Sequence, residues 1–313
     1  MANEYMGWQR YVVLTALEST WGTIPGTPAY FQVPYDGYDV KVVPESRQSM
    51  PTMGIRQRRH NQIFRRRVDG NMSCPLYAHT ATTSIAEKLI TWAFNFPAGL
   101  DLDARTAELF DSVEVKRQTG LRVNTCTIEG SESAGNCTIS LGLMGKEETS
   151  VSAGSAQALS GTYVPERSEF LFPDVVFTLG GSTTSLVSFR ISLNNNLKEN
   201  FMNSVTRTLL SAGDRVVDFE FVLKHNATTR DTLNRTTGTT TLETTASLVL
   251  KGLHNGTGAA GDYATATATF ARPSFQIMDL QGDRNSHITE NTKYIALKPI
   301  TTSNEIDWAF GTS

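Results

Sequence analysis

Apolar residues at every second position dominate the readable segments of this chain. A period of two places them on one face of a pleated strand, whereas a helix would need a period near 3.6. From Ser185 to Leu193, the side chains of Val187, Phe189, Ile191 and Leu193 share one face, and Ser188, Arg190 and Ser192 share the other. Val217, Phe219, Phe221 and Leu223 alternate with Asp218, Glu220 and Lys224, and Tyr38, Val40 and Val42 alternate with Asp39 and Lys41. Half-buried strands of this kind belong to antiparallel sheets. Leu121 to Ile128 and Asn136 to Leu143 flank a turn-like stretch and predict a hairpin with Ile139, Leu141 and Leu143 pointing inward. A second hairpin joins Thr245 to Lys251 with Tyr263 to Phe270 through a loop opened by Asn255 and Gly256. In its return strand Ala264, Ala266 and Ala268 alternate with threonines, small residues that suit close approach by another sheet, of this chain or of a neighbour.

One segment breaks the pattern. Ile85, Leu89, Trp92 and Phe96 recur at helical spacing behind Ser84 and Glu87, a Ser-x-x-Glu capping box, and Pro97 and Gly99 follow. This predicts one helix over about 83–95, covering an open face of a sheet. The stretches Thr106 to Glu114, Lys146 to Arg167 and Ala227 to Thr244 are polar with weak alternation and read as loops. No fixed-period repeat and no linker divides the 313 residues, so the fold class expected is mainly β, an antiparallel sandwich or barrel in a single domain, 1–313, with one helix and long polar loops. Hydrophobic residues at 39% are enough to fill such a core.

Charge and motifs then narrow the function. A formal net charge of -3 gives no global attraction to nucleic acid or to an anionic membrane. No run of about 18 apolar residues offers a membrane span. The apolar run Tyr11 to Leu17 lacks the flanks of a secretory leader, which predicts a soluble, cytoplasmically made product with no membrane partner. Cys74, Cys126 and Cys137 are an odd, sparse set, expected to be reduced and buried; a Cys126 to Cys137 bridge across the first hairpin stays open as an alternative. Gly256, Gly258 and Gly261 match the dinucleotide fingerprint, but a strand and not a helix follows them. The five histidines are scattered, the paired carboxylates Glu147/Glu148 and Asp101/Asp103 lie in polar surroundings, and no nucleophile elbow is present. No enzyme activity, cofactor or metal is expected.

The most unusual local feature is basic. Arg47, Arg56, Arg58, Arg59, Arg65, Arg66 and Arg67, with His60 among them, crowd a stretch in which no acidic residue occurs between Glu45 and Asp69. Set between two strands, it predicts a long arm over about 44–62. Arginines in such an arm can dock on a carboxylate-rich protein through bidentate hydrogen bonds. They can also remain solvated or contact phosphates, the last fitting the acidic total least well.

The order of short signatures resembles the tail tube (major tail) proteins of long-tailed bacteriophages. Glu18-Ser19-Thr20-Trp21-Gly22-Thr23 looks like that family's opening segment, followed by Phe31-Gln32-Val33-Pro34 and a strand ending in Pro44-Glu45-Ser46. Val68-Asp69-Gly70 then leads into a strand and the single helix. Thr119-Gly120-Leu121-Arg122-Val123-Asn124 and Leu141-Gly142-Leu143-Met144-Gly145 look like its central hairpin, and Phe189 to Leu197 like its Asn-bearing strand end. The likeness covers about 10–300; the Thr-rich insertion near 228–245 and the tail from Ile306 depart from it.

The resemblance implies a tail tube type β-sandwich whose copies form hexameric rings that stack into a virion tail, assembled in the host cytoplasm. Its implied partners are further copies of itself, a tape measure protein and tail-end proteins. Double-stranded DNA would pass through during ejection without specific binding, so the arginine arm should face another subunit or ring. The rival from a different class is a β-sandwich carbohydrate-binding module or hydrolase, which would expose clustered aromatics beside a carboxylate pair.

Overall fold

A computed structural model describes residues 11–26, 30–49, 60–78, 85–95, 101–110, 114–151, 168–224, 246–253, 263–270, 273–281, 289–296 and 306–312. The strands among them are β1 (Tyr11–Leu17), β2 (Tyr30–Val33), β3 (Gly37–Tyr38), β4 (Lys41–Ser49), β5 (His60–Pro75), β6 (Tyr77–Ala78), β7 (Arg105–Phe110), β8 (Val115–Ser131), β9 (Cys137–Gly145), β10 (Glu147–Val151) and β11 (Ser168–Glu169). They continue with β12 (Val176–Leu179), β13 (Ser182–Thr184), β14 (Leu186–Asn194), β15 (Lys198–Asn200), β16 (Leu209–Ser211), β17 (Val216–Lys224), β18 (Ala246–Leu253), β19 (Tyr263–Phe270), β20 (Pro273–Gln281), β21 (Thr289–Ala296) and β22 (Asp307–Thr312). One α-helix, α1, spans Ile85–Phe94. The mainly β class expected from the alternation is the fold found.

Thirteen strands form a curled antiparallel sheet whose main path runs β2-β1-β7-β8-β14-β17-β21-β20, with β9 joining β8 to β5 and the arm strands. A second sheet, β13-β12-β18-β19-β22, covers its inner face. Phe219 and Phe221 of β17 meet Phe177 of β12 at centroid distances of 5.6 and 4.7 Å, and Phe270 of β19 stacks on Phe219 at 4.4 Å. Aromatic pairs at such spacings add to the area they bury. The alanine face of β19 is buried in this core, so the sheet that approaches it closely belongs to the same chain.

The two hairpins occur as read, β8 with β9 and β18 with β19. All three cysteines are free and buried. Cys126 stands opposite Leu141 and Cys137 opposite Gly130, so the two thiols are out of register for a bridge. Seven of the ten residues of helix α1 are buried, and Glu87, Lys88 and Thr91 share its less buried face. Ser84 of the capping box and the glycines at 256–261 lie outside the described residues.

Two stretches read as loops contain strands. β7 pairs with β1 on one side and β8 on the other. Its alternation is hidden because Arg105, Thr106 and Glu108 are buried polar residues that each bond to a neighbour. Arg105 Nη1 donates to the Thr15 carbonyl at 2.6 Å, the Thr106 hydroxyl to Glu18 at 2.6 Å, and Arg117 Nη2 approaches Glu108 at 2.6 Å. Polarity there signals pairing, not solvent. Lys146 to Arg167 likewise begins with β10, which pairs with the first part of β8.

Candidate assembly surface

The described part of the arginine arm is an antiparallel pair of strands. β4 and β5 pair from Lys41↔Asp69 to Ser49↔His60, so strand pairing extends into the stretch read as an arm over about 44–62. Its root is fixed where Gly70 lets β5 pass against Val40, since a Cβ there would stand 2.5 Å from the Val40 Cα. A bulge between Glu45 and Ser46 leaves Phe64 as the extra residue.

The structure divides the seven arginines. Arg65 and Arg67 point to the same side of β5 and share Glu45, at 4.0 and 2.7 Å; Arg67 also lies 3.8 Å from Glu199. Arg66 is exposed, and its backbone N–H donates to the Val205 carbonyl at 2.8 Å. Arg47 is exposed opposite Gln62. Arg56, Arg58 and Arg59 lie outside the described residues.

In the acidic stretch Asp101 to Glu114, a natural counterpart for such an arm, the described carboxylates Asp101, Glu108 and Glu114 are engaged within the chain. Asp101 stands 3.5 Å from Arg122, Glu108 is buried against Arg117, and Glu114 stands 3.2 Å from Lys116.

Sequence reasoning missed the residue that organises this end of the molecule. Arg207 is fully buried. Its Nε donates to Glu199 at 2.9 Å, Nη1 to the carbonyls of Val68 and Gly145 at 2.9 and 3.0 Å, and Nη2 to Asp69 and Glu199 at 2.9 and 2.7 Å. Every donor of the guanidinium is used, the condition under which a buried charge is tolerated. The excursion between β14 and β17, which carries the small β15–β16 hairpin, is thereby fastened to β5 and β9. No spacing in the sequence marks a lone arginine between two threonines; the only hint was Glu199 in the same excursion.

The opening signature Glu18 to Thr23 acquires a function in this geometry. Glu18 accepts the amide hydrogens of Gly22 and Gly120 at 2.6 and 2.9 Å. β8 turns a corner at Gly120, whose φ is +67°: the strand leaves β7 and β10 and joins β9 and β14. Strands that change sheets do so at such irregular points.

Among the described residues, the features needed by a sugar-binding module are not brought together. Trp92 is buried, and Trp21 lies under Arg122 and Lys146, 5.5 and 5.3 Å from its ring. Among the described residues, no group of three or more His, Cys, Asp or Glu side chains is placed to hold a metal ion, and no helix is long and apolar enough to cross a membrane.

The comparison with known proteins agrees with the order of signatures. No curated protein matches the chain. A family model described as phage tail tube protein matches residues 8–278, most of the sequence, including the opening signature, the arm, the corner of β8 and the excursion. The chain belongs to the phage tail tube protein family and is a structural component of a virion tail.

Proposed function

We propose that copies of this chain close into hexameric rings, that the rings stack into a tube, and that double-stranded DNA passes through it during ejection. The observation that carries this reading is the solvent face of the long sheet. Across β5, β9, β8 and β14 it presents Asn71, Ser140, Thr125, Ser192 and Asn194, small hydrogen-bonding side chains on the side opposite the core. Its charges are mixed in sign: Arg190 stands between Glu129 and Glu220 in one cross-strand row, and Asp218 stands opposite Ser192 in the next row of that face. A wall of this kind offers DNA no array of cations and hence no gain from counterion release. The duplex slides and does not bind.

Closure of the ring uses open sheet edges. Among the described residues β2 pairs with β1 alone, and β22 with β19 alone. Unpaired edges are an aggregation hazard in a monomer and a joint in an assembly. The tape measure and tail-end proteins are the further partners, assembly takes place in the host cytoplasm, and the conduit is passive, with no catalytic turnover. Electron microscopy and sedimentation of the purified chain test the reading. Six-membered rings or tubes are expected, and a monomer across micromolar to millimolar concentration would overturn it.

A further inference from the structure

The two ends of the long sheet differ in chemistry. From Arg66 to Pro75, β5 spans about 30 Å between them. At the arm end, Phe201 is buried while its neighbour Met202 turns outward and is 71% exposed. Met202 has φ +45°, held there as its amide donates to Asn200 Oδ1 at 2.9 Å. A non-glycine residue seldom adopts this conformation, and such outliers gather where a structure must present a side chain in a fixed place. Val205, 48% exposed, follows on the same turn, and Phe64, 46% exposed, is joined to it through the guanidinium of Arg65, which lies 5.5 Å from the Phe64 ring and 4.7 Å from the Phe201 ring. The Arg207 network fastens the excursion that carries Met202 and Val205 to β5 and β9, and Arg65 and Arg66 flank the knob.

At the opposite end, Leu171, 45% exposed, opens a single 3-10 turn, Phe172–Asp174, whose Asp174 is also exposed. This shoulder is fastened to the β8–β9 turn: the Phe172 amide donates to the Gly135 carbonyl at 3.0 Å, and Asn136 Nδ2 to Glu169 at 3.0 Å. Beside it Glu132 is exposed and 3.4 Å from Lys224. The shoulder is therefore apolar with an acidic margin.

We infer that the knob of Phe64, Met202 and Val205 docks on the Leu171–Asp174 shoulder of a second copy of this chain, head to tail, as the contact between successive rings. The inference rests on the tail tube reading above and names the surfaces it needs. One chain carries both halves, apolar against apolar and arginine against carboxylate. Because the halves sit at opposite ends of the same strands, the contact is heterologous and propagates without closing. A symmetric pairing of knob with knob would instead oppose Arg65 and Arg66 to their own copies.

The test compares the full-length wild type with Met202→Asp and Leu171→Asp by electron microscopy and sedimentation. Each variant alone should stop at single rings. An equimolar mixture should give paired rings, since one variant keeps the shoulder and the other keeps the knob. A minor fraction of Met202→Asp should cap and shorten wild-type tubes several-fold. Val205→Asp and Asp174→Arg, at separate exposed positions, carry the same test should either first variant fail to fold. Wild-type tube lengths from the variants, or loss of the rings themselves, would overturn the inference alone. A wild-type chain that stays monomeric would overturn the tail tube reading and this inference with it.

Discussion

The indole Nε1 of Trp21 donates to the carbonyl of Gly120 at 2.8 Å, a contact between residues 99 positions apart. It lies at the corner where β8 passes from one set of neighbours to another. Glu18 bonds the Gly120 amide on the other side, so this glycine is gripped through both its backbone groups. The short Glu-Ser-Thr-Trp-Gly signature is thus a lock on a sheet corner.

Gly120→Ala should destabilise the fold. The left-handed conformation costs an alanine about 1–2 kcal/mol, and the added Cβ would stand 2.7 Å from Trp21 Nε1, so the indole must also move. In urea titration followed by tryptophan fluorescence, the midpoint should fall and the native emission shift. An unchanged midpoint would show that the corner relaxes freely.

Arg207→Met and Arg67→Met should separate a buried ion cluster from a surface one. Removing the fully buried Arg207 leaves two carboxylates and two carbonyls without their shared donor, a loss on the order of 3–5 kcal/mol. Arg67 is about one-third exposed, and its removal should cost roughly 0–1 kcal/mol. Equal losses in denaturant titrations would contradict the role given to Arg207.

Much of the architecture was legible because period two is a direct imprint of a half-buried sheet. β14 and β17 alternate as read, except that Val187 falls in the bulge between Leu186 and Ser188 and is only partly covered. β7 was illegible for a physical reason: Arg105, Thr106 and Glu108 are buried through partners 9 to 91 residues away, and a composition window cannot see a partner. The arm was visible as a run of charge, but its strand pairing was not. The Arg207 cluster was hidden altogether, since its acceptors come from β5, β9 and β15.

The three thiols should be inert in the native protein and should weaken it in alkali. Burial pushes Cys74 and Cys137 up from the ordinary 9.0 to about 12, and Cys126 in the same direction. The folded state therefore holds protons that the unfolded chain releases above about pH 9. Their stabilising contribution is full below that pH and is lost as pH rises toward about 12. Native protein at pH 8 should not react with a thiol-specific chromogen, and the denatured chain should show three thiols per molecule. Prompt labelling of the native chain would contradict the enclosure of these residues.

Replacing Arg56, Arg58 and Arg59 together by serine should leave a folded subunit that polymerises poorly. No acidic residue lies between Glu45 and Asp69, and both of these, with Glu199, are already engaged by Arg65, Arg67 and Arg207. Countercharge for Arg56, Arg58 and Arg59 must then come from outside their own stretch, and another copy of the chain can supply it. Such contacts weaken with salt, because the Debye length shrinks to about 3 Å at 1 M. Wild-type tubes should accordingly shorten as salt is raised, while the triple variant assembles weakly at every ionic strength. Tubes of normal length and salt resistance from the variant would show that these arginines are merely solvated, and a lowered melting temperature of its isolated subunit would show instead that they serve the subunit's own fold.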